Sequence, residues 1–457
     1  MFSPDLKKNL ERSVVMKRVL ILGAGLVAKP LVRYLLDQPE FEVEVASRTV
    51  SKAIKLIDNH PNGIAKELNL KNEESLKSEV ARADLVISMV PYSFHPKVAK
   101  YCIDFQKHMV TTSYVSEIMQ NLDAEAKRAG ILILNELGLD PGIDHMEAMR
   151  IIHEVEKKGG EITSFTSYCG GLPAPEANTN PFGYKFSWSP IGVLLAGKNS
   201  AQYFLDGQQV FIPSEDLFEN YKIIPIEGLG DFEGYPNRNS LPYIDLYHIG
   251  STRTMLRGTL RNLGWCQTMK KVVDLGLLDE EEKEWTGMTH AGFLRSLMDV
   301  SGEADLKKAL AERFGVAENA DFIQRLEWLG LYEESPLPVT RGSALDILGA
   351  KMLEKLQYDE GERDMIILQH TFEASYQDGK KERITSTLVD YGIPGGDSSM
   401  ARTVGLPAAI GSKLILEGKI QETGVHIPVT PAIYIPILGE LKSMGISFVE
   451  KREWIDG

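Results

Sequence analysis

Residues 17–28 read KRVLILGAGLVA, an apolar run that stops on a glycine, and that order leaves few folds open. The apolar part predicts a buried strand, and the stretch that continues through Leu36 predicts a helix. Between them, Gly23-Ala24-Gly25-Leu26-Val27-Ala28 is a G-x-G-x-x-A turn. One glycine of such a turn supplies a backbone angle closed to other residues. Another removes a side chain, so that a pyrophosphate can approach the helix N-terminus. The small Ala28 lets helix and strand pack closely. Taken alone the pattern is weak, because a plain tight turn in another α/β protein can carry the same letters. Here a strand precedes it, a helix follows it, and a second strand (FEVEVAS, Phe41–Ser47) comes next. That context makes it a dinucleotide-binding fingerprint, with Gly23, Gly25, Leu26 and Val27 expected at the nucleotide.

Further strands are expected at Leu85–Val90, His108–Thr112 and Ile131–Asn135, separated by helical stretches. Such alternation predicts a parallel, doubly wound sheet. After Asp140-Pro141 the texture shifts to Gly, Pro, Asn and aromatics, with short strands such as Thr163–Cys169. Helical patterns occupy Leu277–Leu356, strand-like texture returns at 365–391, an apolar helix is expected over Ser398–Glu417 and a last strand at Gly445–Glu450. The fold class is therefore α/β: an N-terminal Rossmann dinucleotide-binding domain, an α/β substrate domain and a helical insertion. The expected boundaries are 16–140 for the first, with 395–457 packing back on it, 141–270 and 365–394 for the second, and 271–364 for the insertion.

Cofactor choice is read at the end of the second strand, where an NAD enzyme usually carries an acid for the ribose 2′-hydroxyl. The run here is Val45-Ala46-Ser47-Arg48-Thr49, with no acid at the tip. Ser47 and Thr49 can donate hydrogen bonds, and Arg48 can grip a 2′-phosphate through charge-assisted bonds, so NADP is the expected cofactor. The competing account of Arg48 is an exposed loop arginine. Val90-Pro91 closes a strand at the carboxyl edge where ligands lie in open parallel sheets, and both residues are expected at the cofactor.

The remaining composition narrows the partners. A chain of 457 residues exceeds a single core. No apolar run approaches the roughly 18–20 residues of a membrane span. The first fifteen residues are charged, lack an apolar core and read as a short extension, not a secretory signal. Three cysteines without a CxxC pair argue against a disulfide framework and fit a reducing cytoplasm. The histidine spacing indicates no metal. A net charge of −14 disfavours nucleic acid and anionic membranes as partners, so any anionic ligand needs local arginines. A homodimer is expected from size and class.

Six segments resemble the saccharopine dehydrogenases of the NADP-linked, L-glutamate-forming type: VTTSYVS (Val110–Ser116), NELGLDPGIDH (Asn135–His145), SYCGGLPAPEANTNPFGY (Ser167–Tyr184), YPNRNS (Tyr235–Ser240), RGTLR (Arg257–Arg261) and EGERDMIILQH (Glu360–His370). The resemblance covers essentially the whole chain after residue 16. It implies reversible reduction of the imine between 2-aminoadipate 6-semialdehyde and glutamate, giving saccharopine, in lysine metabolism. It places Ser113, Tyr114 and Asp140 at saccharopine, with Ser113, Tyr114 and Leu139 also near the nicotinamide. It further places Arg238 and the triplet Thr259-Leu260-Arg261 at saccharopine, with both arginines as carboxylate clamps.

The residue types suit that chemistry. Saccharopine carries three carboxylates and needs cationic groups, although a single arginine is by default a surface ion pair. Asp140 precedes a proline, where Asp is common in turns; the competing account of Tyr114 is an aromatic plug at the domain interface. Cys169 has three readings: a covalent nucleophile, an ionisable active-site group as in the resembled family, or a buried inert thiol. Trp188 walls the pocket or belongs to the core. Proton transfers are expected to fall to Tyr114, Asp140 and Cys169. Two rivals stay open: an imine reductase of the carboxynorspermidine dehydrogenase type, whose cationic amine calls for carboxylates instead of arginines, and a nucleotide-sensing module without turnover.

Overall fold

A computed structural model describes residues 16–455; the expected N-terminal extension lies outside them. The chain divides into two compact units, one built from residues up to Arg150 with Ala401–Ile446, the other from Ile151–Met400 with Ser447 onward. Among the described residues no helix is long and apolar enough to cross a membrane.

The first unit is organised by seven strands: β1 (Lys17–Leu22), β2 (Phe41–Ser47), β3 (Gly63–Glu67), β4 (Leu85–Ser88), β5 (His108–Thr111), β6 (Leu132–Leu134) and, late in the chain, β17 (Gly424–His426). Their order is β17-β6-β5-β4-β1-β2-β3. Every pairing is parallel. A parallel sheet is covered on both faces, which is why β1 and β4 read as continuous apolar runs and not as alternations. The helix Ala28–Leu36 returns from β1 toward β2 and buries Ala28, Leu31, Val32, Leu35 and Leu36. Pro30 is tolerated there because the first-turn N–H groups have no partner within a helix.

The second unit has a mixed sheet, ordered β10-β11-β12-β7-β15-β16-β18. Its strands are β7 (Gly160–Pro173), β8 (Ala201–Leu205), β9 (Gln208–Ile212), β10 (Lys222–Ile226), β11 (Gly230–Pro236), β12 (Thr254–Arg261), β15 (Asp364–Tyr376), β16 (Lys381–Tyr391) and β18 (Val449–Ile455), with a small separate pair β13 (Lys283–Glu284) and β14 (Arg341–Gly342). β12 runs parallel to β7, and β15 runs antiparallel to β7 on its other side.

Four expectations change. The helices between Trp265 and Lys355 share one continuous apolar core with the sheet, through Trp265, Phe293, Leu326, Ile347, Leu172 and Ile367 among others, so they form no body of their own. The last strand begins at Val449, not Gly445, because Ile446 is drawn into an apolar core and the alternating VEKREWI that follows pairs with β16. That strand belongs to the second sheet, so the tail does not pack back as one piece. The strand expected at Thr163–Cys169 is longer at both ends.

The helix Ser399–Leu416 backs the nucleotide turn. A Cβ at Gly405 would lie 2.9 Å from the Val27 carbonyl oxygen and 3.2 Å from the Leu31 nitrogen. Both are backbone atoms of the first helix and neither can rotate away. Gly405→Ala gains about 1 kcal/mol of helix propensity, but overpacking costs about 1–3 kcal/mol. Urea unfolding is expected to show a variant less stable than wild type; a more stable variant would contradict this packing.

Candidate active site

The turn after β1 has the geometry the sequence asks for. Gly23 sits at φ +112°, donates its N–H to the Ala46 carbonyl at 2.8 Å, and a Cβ there would meet the Met89 carbonyl oxygen at 2.8 Å. Only glycine meets both conditions. A Cβ at Gly25 would touch nothing within 4 Å, so the space over it is open. Leu26 is 70% exposed, and Val27 opens the helix without a side-chain cap. No side chain caps that helix end, where the Ala28 N–H bonds the Gly25 carbonyl at 3.2 Å, so its positive end stays open to an anion.

At the end of β2, Ser47 Oγ accepts from the Thr49 N–H at 3.2 Å, and Arg48 stands exposed. Open space over Gly25, an uncapped helix start and an exposed cation at the neighbouring strand end fit a dinucleotide with a 2′-phosphate. Val90-Pro91 follows β4 and leads into a short 3-10 turn, Tyr92–Phe94.

Beyond β5 and β6 the two loops are tied together. Tyr114 Oη donates to Asp140 Oδ1 at 3.1 Å. Leu139 is buried beside the cis Asp140-Pro141 bond. Glu136, buried at φ +57°, accepts from the Val115 N–H at 2.9 Å and bonds His145 Nε2 at 2.7 Å. Its carboxylate therefore fixes one loop against the other.

One buried side chain links the ends of two neighbouring strands. His95 Nδ1 lies 2.9 Å from Ser88 Oγ, and its Nε2 lies 2.9 Å from Ser113 Oγ and 3.2 Å from Thr111 Oγ1. Burial pushes the imidazole pKa down to about 4, so the ring is neutral near pH 7.

In the second unit, Cys169 on β7 is a buried thiol in register with Thr259 on β12 and Leu368 on β15. Arg257, Thr259 and Arg261 alternate onto one face of β12. Arg261 is 5% exposed. Its guanidinium carbon lies 5.0 Å from the Tyr184 ring and 5.4 Å from the Trp265 ring, and Nη1 donates to the Leu260 carbonyl at 2.8 Å. Its Nε has no hydrogen-bond partner, and among the described residues no carboxylate pairs with it. Burial raises the Tyr184 and Tyr235 phenols, keeping both neutral around the cation. Leu260 is fully buried, and its carbonyl would lie 2.7 Å from a Cβ at Gly170. Arg238 is exposed on a loop at φ +56°. Trp188 is half-buried, packed on the core and over Gly192.

Within the first unit, then, the structure joins Gly23 to the β4 end and Tyr114 to Asp140. Within the second it sets Cys169 beside Thr259. His95, Glu136, Arg257, Tyr184 and Tyr235 escaped the sequence reading. Of these only Arg257 carried a signal, its i, i+4 spacing to Arg261 in a strand.

The parallel sheet, the glycine turn and the basic strand tip define an NADP-linked dehydrogenase with a second α/β unit. The chain belongs to the saccharopine dehydrogenase family: residues 19–134 match the saccharopine dehydrogenase NADP-binding domain and 138–446 its C-terminal domain. It is 42% identical to saccharopine dehydrogenase [NADP(+), L-glutamate-forming] of Schizosaccharomyces pombe and 43% identical to that of Saccharomyces cerevisiae, each alignment covering 95% of this chain and 99% of the relative. Mitochondrial alpha-aminoadipic semialdehyde synthase of Bos taurus is 39% identical, and 47% of its length is matched. The apo saccharopine dehydrogenase (L-Glu forming) structure from Saccharomyces cerevisiae superposes with a TM-score of 0.87, covering 96% of this chain and 100% of that one.

The depressed His95 pKa makes a pH prediction. A buried neutral histidine stabilises the fold fully above the unfolded value of about 6.5, and that stability is lost as pH falls toward the folded value of about 4. Thermal melts are expected to fall across this window in wild type and less steeply in His95→Gln. Equal slopes would show that His95 is already charged or solvated.

Proposed function

We propose that this chain is an NADP-dependent saccharopine dehydrogenase that works through the residues described above. The single observation that carries the substrate reading is Arg261, a buried guanidinium that no carboxylate among the described residues ion-pairs, since Glu233 across the strand pair is taken up by the Gly264 and Cys266 N–H groups. Leaving such a charge unanswered is costly, and a substrate with three carboxylates answers it. Arg238, Thr259 and Leu260 complete the carboxylate-binding segments, and Trp188 walls the pocket. A diamine substrate would call for acids at these positions, which disfavours the carboxynorspermidine-type rival. The reducing cytoplasm is the compartment we assign, since Cys102, Cys169 and Cys266 form no disulfide.

Gly23, Gly25, Leu26 and Val27 hold the pyrophosphate, Ser47, Arg48 and Thr49 the 2′-phosphate end, and Val90, Pro91, Ser113, Tyr114 and Leu139 the nicotinamide side. The bound nucleotide supplies or accepts the hydride, and the protein orients the partners. In the oxidative direction the secondary amine of saccharopine loses a proton and a hydride to give an imine. Water adds to that imine, and the carbinolamine collapses to glutamate and 2-aminoadipate 6-semialdehyde. Tyr114 and Asp140, already hydrogen-bonded, form one acid–base pair for these transfers. Cys169 contributes an ionisable group, and no covalent intermediate is needed.

NADPH oxidation assayed with the semialdehyde and either glutamate or a diamine tests this reading. Turnover is expected with glutamate alone. Arg261→Met is expected to raise KM for glutamate and for saccharopine about 30- to 1000-fold, the worth of a charge-assisted pair in a buried site, while the apo protein melts no lower than wild type. Turnover with the diamine, or an unchanged KM, would overturn it.

A further inference from the structure

We infer that His95 is a positioning residue for the reaction, holding the Ser113 hydroxyl in one orientation toward the bound ligands through the chain Ser88–His95–Ser113. The inference rests on the reading that Ser113 contacts the nicotinamide and saccharopine.

His95 opens the helix His95–Asp104, directly after the Tyr92–Phe94 turn that leaves β4. Its ring returns beneath that crossing and is 3% exposed. One ring nitrogen meets Ser88, the last residue of β4. The other meets Thr111, the last residue of β5, and Ser113 just beyond it. Ser113 is held on every polar atom. Its N–H donates to Thr111 Oγ1 at 3.3 Å, its carbonyl accepts from the Glu136 N–H at 3.1 Å, and its hydroxyl meets His95.

The backbone bonds fix where Cα stands, but not χ1 or the hydroxyl proton. Only the imidazole fixes those. A neutral imidazole carries one proton, so Ser113 Oγ takes the role complementary to Nε2 and keeps the other for a ligand: its proton where Nε2 donates, its lone pairs where Nε2 accepts. Ser88 at Nδ1 pins the ring plane, as a distal partner does for a metal-bound histidine. No proton needs to pass through the ring: Ser88 is fully buried and opens no path to solvent.

Saturating NADP+ and varied saccharopine, applied to Ser113→Ala, His95→Leu, their double variant and His95→Gln, test this. Ser113→Ala and His95→Leu are each expected to lower kcat/KM about 5- to 50-fold, the loss of one oriented hydrogen bond. The double variant is expected within about twofold of Ser113→Ala, because both act through one hydroxyl. His95→Gln, whose amide reaches the Nε2 position, is expected to recover most of the rate with the pH profile unchanged between 6 and 10. Multiplying losses in the double variant would overturn the inference, since a merely structural His95 adds its damage to any other. A pH limb that vanishes in His95→Gln would overturn it too, by making the ring a proton carrier. Ser113→Ala at wild-type rate would instead remove the ligand role of Ser113 itself, and the inference with it.

Discussion

Parallel pairing imposes a direction on everything the first unit does. Because β1, β2, β4, β5 and β6 all run the same way, their carboxyl ends gather at one edge, and the loops that leave them have to share that edge. The Gly23 turn, Ser47-Arg48-Thr49, Val90-Pro91, Ser113-Tyr114 and Leu139-Asp140 are five such loops in strand order. Contacts between neighbouring loops then follow from the register. Gly23 is pressed on Met89 because β1 lies beside β4. His95 meets Thr111 because β4 lies beside β5.

The second constraint is charge. A protein with a net charge of −14 repels both a polyanionic cofactor and a tricarboxylate. The answer is local. Arg48 stands exposed at a strand tip, while Arg261 is buried between aromatic rings and neutral phenols. Stacking on Tyr184 and Trp265 softens the cost of burying a cation that no carboxylate among the described residues ion-pairs. Glu233, opposite Arg261 on β11, accepts from the Gly264 and Cys266 N–H groups and forms no ion pair with it.

The glycine turn and β1 were legible because their demands are local: a backbone angle, a missing side chain, an apolar run. The strand β3 was not, since GIAKE is half-buried with no alternation, and neither was the three-residue β17, too short to carry a period. β18 was misplaced because GISFVE is apolar for a different reason, with Ile446 filling a core ahead of the strand. His95 and Glu136 were silent in the sequence, as their partners come from separate segments that only the sheet assembles. Arg261 was suggested by likeness to relatives; what the structure adds is that no carboxylate among the described residues ion-pairs with it.

Saccharopine has two carbons on its bridging nitrogen, and which one is oxidised decides the enzyme. Incubation with saccharopine and NADP+, followed by mass-spectrometric identification of products, tests the account most directly. Glutamate and 2-aminoadipate 6-semialdehyde are expected in amounts equal to the NADPH formed. Lysine and 2-oxoglutarate, the products of oxidising the other carbon, or turnover that prefers NAD+, would contradict it.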